Sequence, residues 1–155
     1  MKEALLNIKK SKENKLPSNL EAEQALIGSV LVNNDIIDEI SNIINSIKFF
    51  DPIHRKIYDV IENLNSKGMI ANPITLKNYF EKDDGLNDVG GTDYLVKLTR
   101  FSSSTKQAID YAKIIHEMYV KRELITISEN ITYESYDDEI EKTGENIIED
   151  AEKSL

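Results

Sequence analysis

Apolar positions recur along this chain with helical spacing from residue 20 onward, and no stretch alternates with period two. That pattern predicts an all-α fold. The most informative stretch is 105–155, which reads as a long helix, a polar turn and a second helix. The long helix carries two apolar stripes. Tyr111, Ile115, Met118 and Ile125 form one series, and Val120, Leu124, Ile127 and Ile131 form another. At ~100° per residue, Tyr111 and Val120 point about 180° apart. A helix that only covers its own domain needs one apolar face. The second stripe needs another body, either the following helix or another copy of the chain. The expected architecture is a flexible Lys-rich arm over 1–15, a compact multi-helix globular head over 16–104, and a helical hairpin over 105–155.

Within the head, Ser18 and Glu21 read as a capping box that opens the first helix. Gly28 lies inside that helix and suggests the close approach of another. Ile36, Ile37, Ile40, Ile43, Ile44 and Ile47 read as one broad buried stripe on a second helix. Asp51-Pro52 caps and starts a third, with Pro where its missing N–H costs nothing, and Gly68 stops it. Thr75 reads as the N-cap of a short helix from Leu76 to Lys82, with Leu76, Tyr79 and Phe80 inward and Asp83-Asp84-Gly85 as its end. Gly90-Gly91 reads as a turn before a helix that buries Tyr94, Leu95 and Leu98. Ser102 to Ser104 separates that helix from the long one.

Composition narrows the function. At 155 residues, with 40% hydrophobic and 30% charged residues, the chain can bury a sound core. It has no Cys, hence no disulfide framework and no thiolate metal site. No apolar run reaches the ~18–20 residues of a membrane span, and the first residues lack an apolar signal core, so a cytoplasmic location is expected. Net charge is −9, but unevenly placed. Residues 1–15 hold five Lys against Glu3 and Glu13, a net of +3, whereas 134–155 hold nine acidic groups against Lys142 and Lys153, a net of −7. DNA affinity comes largely from Lys and Arg displacing counterions. Little direct DNA binding is therefore expected, and contact with a basic protein surface is allowed. The arm reads as a solvated tail, or else as a segment that touches DNA or a neighbour.

Candidate chemistry is sparse. His54 and His116 lie far apart without metal-ligand spacing and read as structural. No phosphate-loop pattern G-x-x-x-x-G-K-[ST] is present. Glu21 and Glu23 are two apart on a helix and face different directions, with Glu21 assigned to capping. No catalytic, cofactor-binding or metal-binding residue is expected. Val120, Leu124, Ile127 and Ile131, with Ile140, Ile147, Ile148 and Ala151, are the expected hairpin surface, to which the family resemblance given below assigns subunit pairing. Tyr119, Tyr133 and Tyr136 are candidates for partner docking, because Tyr is large, rigid and amphipathic. Intramolecular packing explains them equally well.

The run from Leu16 to Ser29, Leu-Pro-Ser-Asn-Leu-Glu-Ala-Glu-Gln-Ala-Leu-Ile-Gly-Ser, resembles the opening of the N-terminal domain of bacterial replicative DNA helicases, the DnaB family. Further blocks follow in order: Phe49-Phe50, His54-Arg55 with Ile57-Tyr58, Ile74-Thr75-Leu76, Val89-Gly90-Gly91 with Tyr94-Leu95, Tyr111-Ala112 with Ile114-Ile115, and Arg122 with Leu124-Ile125. The resemblance covers roughly 16–155. Gln107 departs from a frequent Asn, and Asn33 from a common acidic residue.

The resemblance implies a collar domain that pairs subunits through hairpins, as a dimer and then a trimer of dimers in a hexameric ring. It also implies docking of primase and, in some bacteria, of a helicase loader. ATP and Mg would belong to a RecA-like motor absent from this chain, so the chain alone is not expected to be an enzyme, although the intact protein would be an ATP-hydrolysing helicase in DNA replication. On that reading the chain is a fragment cut at a domain boundary. The alternatives are a free-standing helical adaptor that recruits a replication partner and a small helical enzyme with an unrecognised site.

Overall fold

The computed structural model describes residues 1–3, 15–81, 83–137 and 142–155. Eight α-helices and one 3-10 turn, with no strand, occur among them, so the all-α expectation holds. The helices are α1 (Leu20–Val32), α2 (Ile36–Ile40), α3 (Pro52–Ser66), α4 (Pro73–Phe80), α5 (Asp84–Asp88), α6 (Asp93–Thr99), α7 (Thr105–Tyr136) and α8 (Gly144–Ser154). The chain divides into two compact units, one formed by 18–119 and the other by 1–17 with 120–155. Helix α7 contributes to both.

In the first unit α1 is the central helix, covered on nearly every side. It packs on α6, α3 and α2. Its cap is Asn19, whose side chain accepts the Ala22 N–H at 2.9 Å. This corrects the Ser18–Glu21 reading, and Glu21 is exposed. Asn and Ser are nearly equal as caps, so the Pro-Ser-Asn run offered two starts one residue apart. Gly28 does mark a close approach. A Cβ there would sit 2.0 Å from the Leu98 carbonyl oxygen, so α1 meets the end of α6 backbone to backbone. One residue on, the Ser29 hydroxyl donates to the Ala25 carbonyl at 2.7 Å and accepts the Ser103 N–H at 2.9 Å. That bond holds the chain just before α7 starts.

The isoleucine stripe is not one helix. Ile36, Ile37, Ile40 and Ile44 are buried, but α2 ends at Ile40, Ile43 is only half-buried, and Ile47 is 60% exposed on the 3-10 turn Ser46–Lys48. β-branched residues lose side-chain freedom in a helix, and the turn gains a specific anchor in the Glu62 carboxylate, which accepts the Ser46 N–H at 2.8 Å.

Helix α3 begins as the sequence predicts. Asp51 accepts the Ile53 N–H at 2.8 Å, and Pro52 takes the first helical position. It ends in a Schellman arrangement, with Gly68 at φ 70°, the Met69 N–H bonded to the Leu64 carbonyl, and the Gly68 N–H bonded to the Asn65 carbonyl. The connection that follows is tied down by Asn34. Its side-chain N–H donates to the Ala71 carbonyl at 2.8 Å, and its side-chain oxygen accepts the Ala71 N–H at 2.7 Å.

Helix α4 starts earlier than expected. Asn72 is the cap, accepting from the Ile74 and Thr75 N–H groups at 2.9 Å each, and Thr75 is the reciprocating residue, its hydroxyl accepting the Asn72 N–H at 3.0 Å. Leu76 and Phe80 are buried as expected, but Tyr79 is 48% exposed, because it lies next to Phe80 and ~100° round the helix. The expected end at Lys82 lies outside the described residues. The Asp83-Asp84-Gly85 run opens another short helix, α5, with Asp83 accepting the Leu86 N–H at 3.0 Å. Gly90 and Gly91 hold positive φ in the next turn, and Tyr94, Leu95 and Leu98 are buried behind it, as predicted. The first half of α7 closes the core with Ala108, Ala112 and Ile115.

In the second unit Thr143 caps α8, its hydroxyl accepting the Asn146 N–H at 3.2 Å. Lys142 reaches Glu134 at 2.7 Å and Asp150 at 2.9 Å, linking the end of α7 to α8. The Glu134 and Asp150 carboxylates hold the Lys142 ammonium above its ordinary range, Glu134 being the larger cause. Arg122 donates to the Pro17 carbonyl at 2.7 Å. Most of the Lys-rich arm, 4–14, lies outside the described residues.

Candidate pairing surface

The second unit sorts the sequence-predicted surface residues by exposure. At ~100° per residue, Val120, Leu124, Ile127 and Ile131 fall within an arc of about 60° on α7. Leu124 is 48% exposed and Ile131 37%, while Val120 and Ile127 are half-buried. On α8, Ile147 is buried and Ala151 half-buried, one turn apart on one face. Ile148 lies about 100° round from Ile147 and is 60% exposed. Ile140 lies outside the described residues. Thus Ile147 is already covered within the chain, and Leu124, Ile131 and Ile148 are open.

The tyrosines divide as well. Tyr133 and Tyr136 are 77% and 84% exposed. They project from the side of α7 roughly opposite the stripe, about 150° from its centre. Tyr119 belongs to the first unit and is half-buried.

The first unit holds a buried polar network that the sequence reading placed only in part. Glu23 and His54 are each 1% exposed. Glu23 Oε1 lies 2.8 Å from His54 Nδ1, and its two oxygens accept the Phe50 N–H at 2.8 Å and the Asp51 N–H at 3.2 Å. His54 Nε2 lies 2.8 Å from the Tyr94 hydroxyl, which also accepts from Gln24 at 3.4 Å. The His54 and Tyr94 rings stack with centroids 6.1 Å apart. Burial raises the Tyr94 phenol above its ordinary range, with the Asp51 and Glu23 carboxylates adding to the effect.

His54 is therefore structural, as expected. Glu23 is the missed residue, since nothing in helical spacing distinguishes a carboxylate that points inward from one that is solvated. The network links α1, α3 and α6. His116 is half-buried, and its Nδ1 has no hydrogen-bond partner among the described residues. Among those residues no group of three or more His, Asp or Glu is arranged to hold a metal, and no helix is long and apolar enough to cross a membrane.

One unit is thus a helical head with a buried polar network, and the other a helical hairpin with exposed apolar side chains. The chain belongs to the family described as the DnaB-like helicase N terminal domain, which matches residues 15–117. It is 41% identical over 140 residues to the replicative DNA helicase DnaB of Rickettsia felis, and equally so to that of Rickettsia bellii. In each case the match covers 90% of this chain and 28% of the relative, so the chain spans little more than a quarter of the length of these curated relatives. Its fold is similar to the crystal structure of the N-terminal domain of DnaB helicase from Mycobacterium tuberculosis, with TM-score 0.77 and 25% identity, covering 90% of this chain and 97% of that one.

Proposed function

We propose that this chain is the collar domain of a replicative DNA helicase, in which the hairpin pairs subunits and offers a docking surface to primase and, in some settings, a loader. The observation that carries the reading is the open apolar arc on α7. Leu124 and Ile131, seven residues apart, share one side of α7 and stay exposed in the single chain. Burying such side chains contributes several kcal/mol at ~25 cal/mol per Å², against the ordering cost of association. Family membership supplies the context, since the relatives are replicative helicases.

In the intact cytoplasmic protein, ATP and Mg would act in a motor outside this chain, which would unwind duplex DNA. This domain would set the pairing of subunits into a dimer and then a trimer of dimers, and would place primase near the fork without binding DNA strongly itself. The isolated chain should neither hydrolyse ATP nor unwind DNA. Sedimentation equilibrium of the purified chain tests the pairing: a dimer at tens of micromolar is expected, and a monomer throughout that range removes the basis for the collar. Titration calorimetry with purified primase tests docking, and an absence of binding at similar concentrations would confine the role to self-assembly.

A further inference from the structure

Helix α7 keeps two of its tyrosines in solvent, and they share a face with a carboxylate. Tyr133 and Tyr136 are both exposed and stand three residues apart, which makes them neighbours on the helix surface. Glu129 is exposed as well. It lies one turn before Tyr133 and two turns before Tyr136. At ~100° per residue the three fall within an arc of about 60°, roughly opposite the Val120–Ile131 stripe. Pairing along the stripe therefore leaves this face uncovered.

The charge around the face indicates what it would take. Residues 123–137 hold Glu123, Glu129, Glu134 and Asp137 and no Lys, Arg or His, a net of −4. Lys142 reaches back to α7, but Glu134 and Asp150 take it up. Arg122 lies on the same side of α7, seven residues before Glu129 and so about 10 Å back along the axis, and its guanidinium donates to the Pro17 carbonyl. Among the described residues, Glu129, Tyr133 and Tyr136 have no side-chain hydrogen bond or ion pair. The face of a tyrosine ring carries negative charge density that attracts an ammonium or a guanidinium, the latter more often. A purely apolar partner would strip water from the Glu129 carboxylate and return nothing for it. An acidic partner would be repelled by all four carboxylates. A cationic side chain satisfies both the rings and the carboxylate.

We infer that Glu129, Tyr133 and Tyr136 form a docking face for a basic segment of a partner protein, with an Arg or Lys side chain set against the tyrosine rings and Glu129 as its counter-charge. This rests on the reading above that the hairpin docks a partner, and it gives that partner a chemistry. The same hairpin then pairs on one side and docks on the other.

The test is titration of the full chain with a capped octapeptide of alternating Gly and Arg at about 50 mM and about 150 mM salt. Affinity is read by calorimetry, the site by NMR and helicity by circular dichroism. The Tyr133 and Tyr136 ring signals and the Glu129 amide should move together, and the same peptide with Gln in place of Arg should not bind. Changing both tyrosines to Leu keeps apolar bulk but removes the aromatic faces, and should weaken binding about tenfold. Changing both to Phe should leave affinity nearly intact. Glu129→Gln should weaken it about threefold, whereas Glu123→Gln, about 120° round the helix, should have no effect. Equal affinity of the Leu variant and the natural chain would mean that the peptide answers to net charge alone and would overturn the proposal. Shifts spread over acidic residues elsewhere, with none at these three, would overturn it too. Calorimetry with primase separates the two failures. A chain that binds primase but not the Arg peptide loses this face alone, and a chain that binds neither loses the docking reading with it.

Discussion

Glu23 Oε1 and His54 Nδ1 lie 2.8 Å apart in the interior of the helical head, each residue 1% exposed. The same carboxylate accepts the backbone N–H groups of Phe50 and Asp51, where the chain enters α3. One side chain on α1 thus satisfies three donors from a single neighbouring segment. The bond to His54 is closed off from solvent.

Glu23→Ala should therefore destabilise the head by about 1–3 kcal/mol, the range for leaving a buried donor without its acceptor. Tyr94→Phe, which removes only the hydroxyl at His54 Nε2, should cost about 1–2 kcal/mol. Urea denaturation followed by circular dichroism gives both values. A loss below about 1 kcal/mol for Glu23→Ala would mean that the network contributes little.

Gly28→Ala poses a sign question. Ala is the better helix former by roughly 1 kcal/mol, but the added methyl would sit 2.0 Å from the Leu98 carbonyl oxygen. Backbone cannot yield as a flexible side chain does, and overpacking typically costs about 1–3 kcal/mol. Net destabilisation of at least about 1 kcal/mol is expected. A variant as stable as the natural chain would show that α1 and α6 can separate freely.

The hairpin residues should fall into two groups. Leu124→Asp and Ile131→Asp place a charge in the open arc, and each should abolish self-association with helicity unchanged. Ile147→Asp puts a charge at a covered site and should instead unfold α8, visible as lost ellipticity. Dimers that persist in both arc variants would show that pairing uses another surface.

The pH response of α5 follows from Asp83. Its carboxyl is held below the usual carboxylate range, first by the Leu86 N–H and then by Lys56, whose ammonium lies 3.3 Å away. A depressed folded value adds stability above the unfolded pKa and loses it as pH falls through the folded one. The cap should therefore hold at neutral pH and release below about pH 4. The Leu86 amide shift should move across that range by NMR, in step with Asp83 protonation. A flat Leu86 shift down to about pH 2.5 would remove the cap from the account.

Much of the helical order was legible in the sequence because caps and stops are chemically specific. Asp51-Pro52, Gly68 and the Gly90-Gly91 turn each admit few conformations, and the structure uses them as read. Where two residues could serve equally, the reading slipped, as at Ser18 against Asn19 and at Thr75 against Asn72. The six isoleucines failed for a different reason. Apolar spacing reports what wants burial, not whether the backbone between those positions stays helical, and Ser46 found a better partner in Glu62. Glu23 was illegible because a buried carboxylate is identified by its distant partners. The two-stripe character of α7 was legible, but only coordinates separate Ile147, already covered, from Leu124 and Ile148, still open.

Asn34 does for the Ala71 backbone what a neighbouring β-strand would do, returning one donor and one acceptor in peptide geometry. An all-helical protein thereby acquires a single rung of sheet without any strand. Only a primary amide can fill that position. Slow deamidation of Asn34 to Asp would set a second acceptor against the Ala71 carbonyl and turn the rung into a repulsion, so the chemical ageing of one side chain becomes a clock on the connection between α3 and α4.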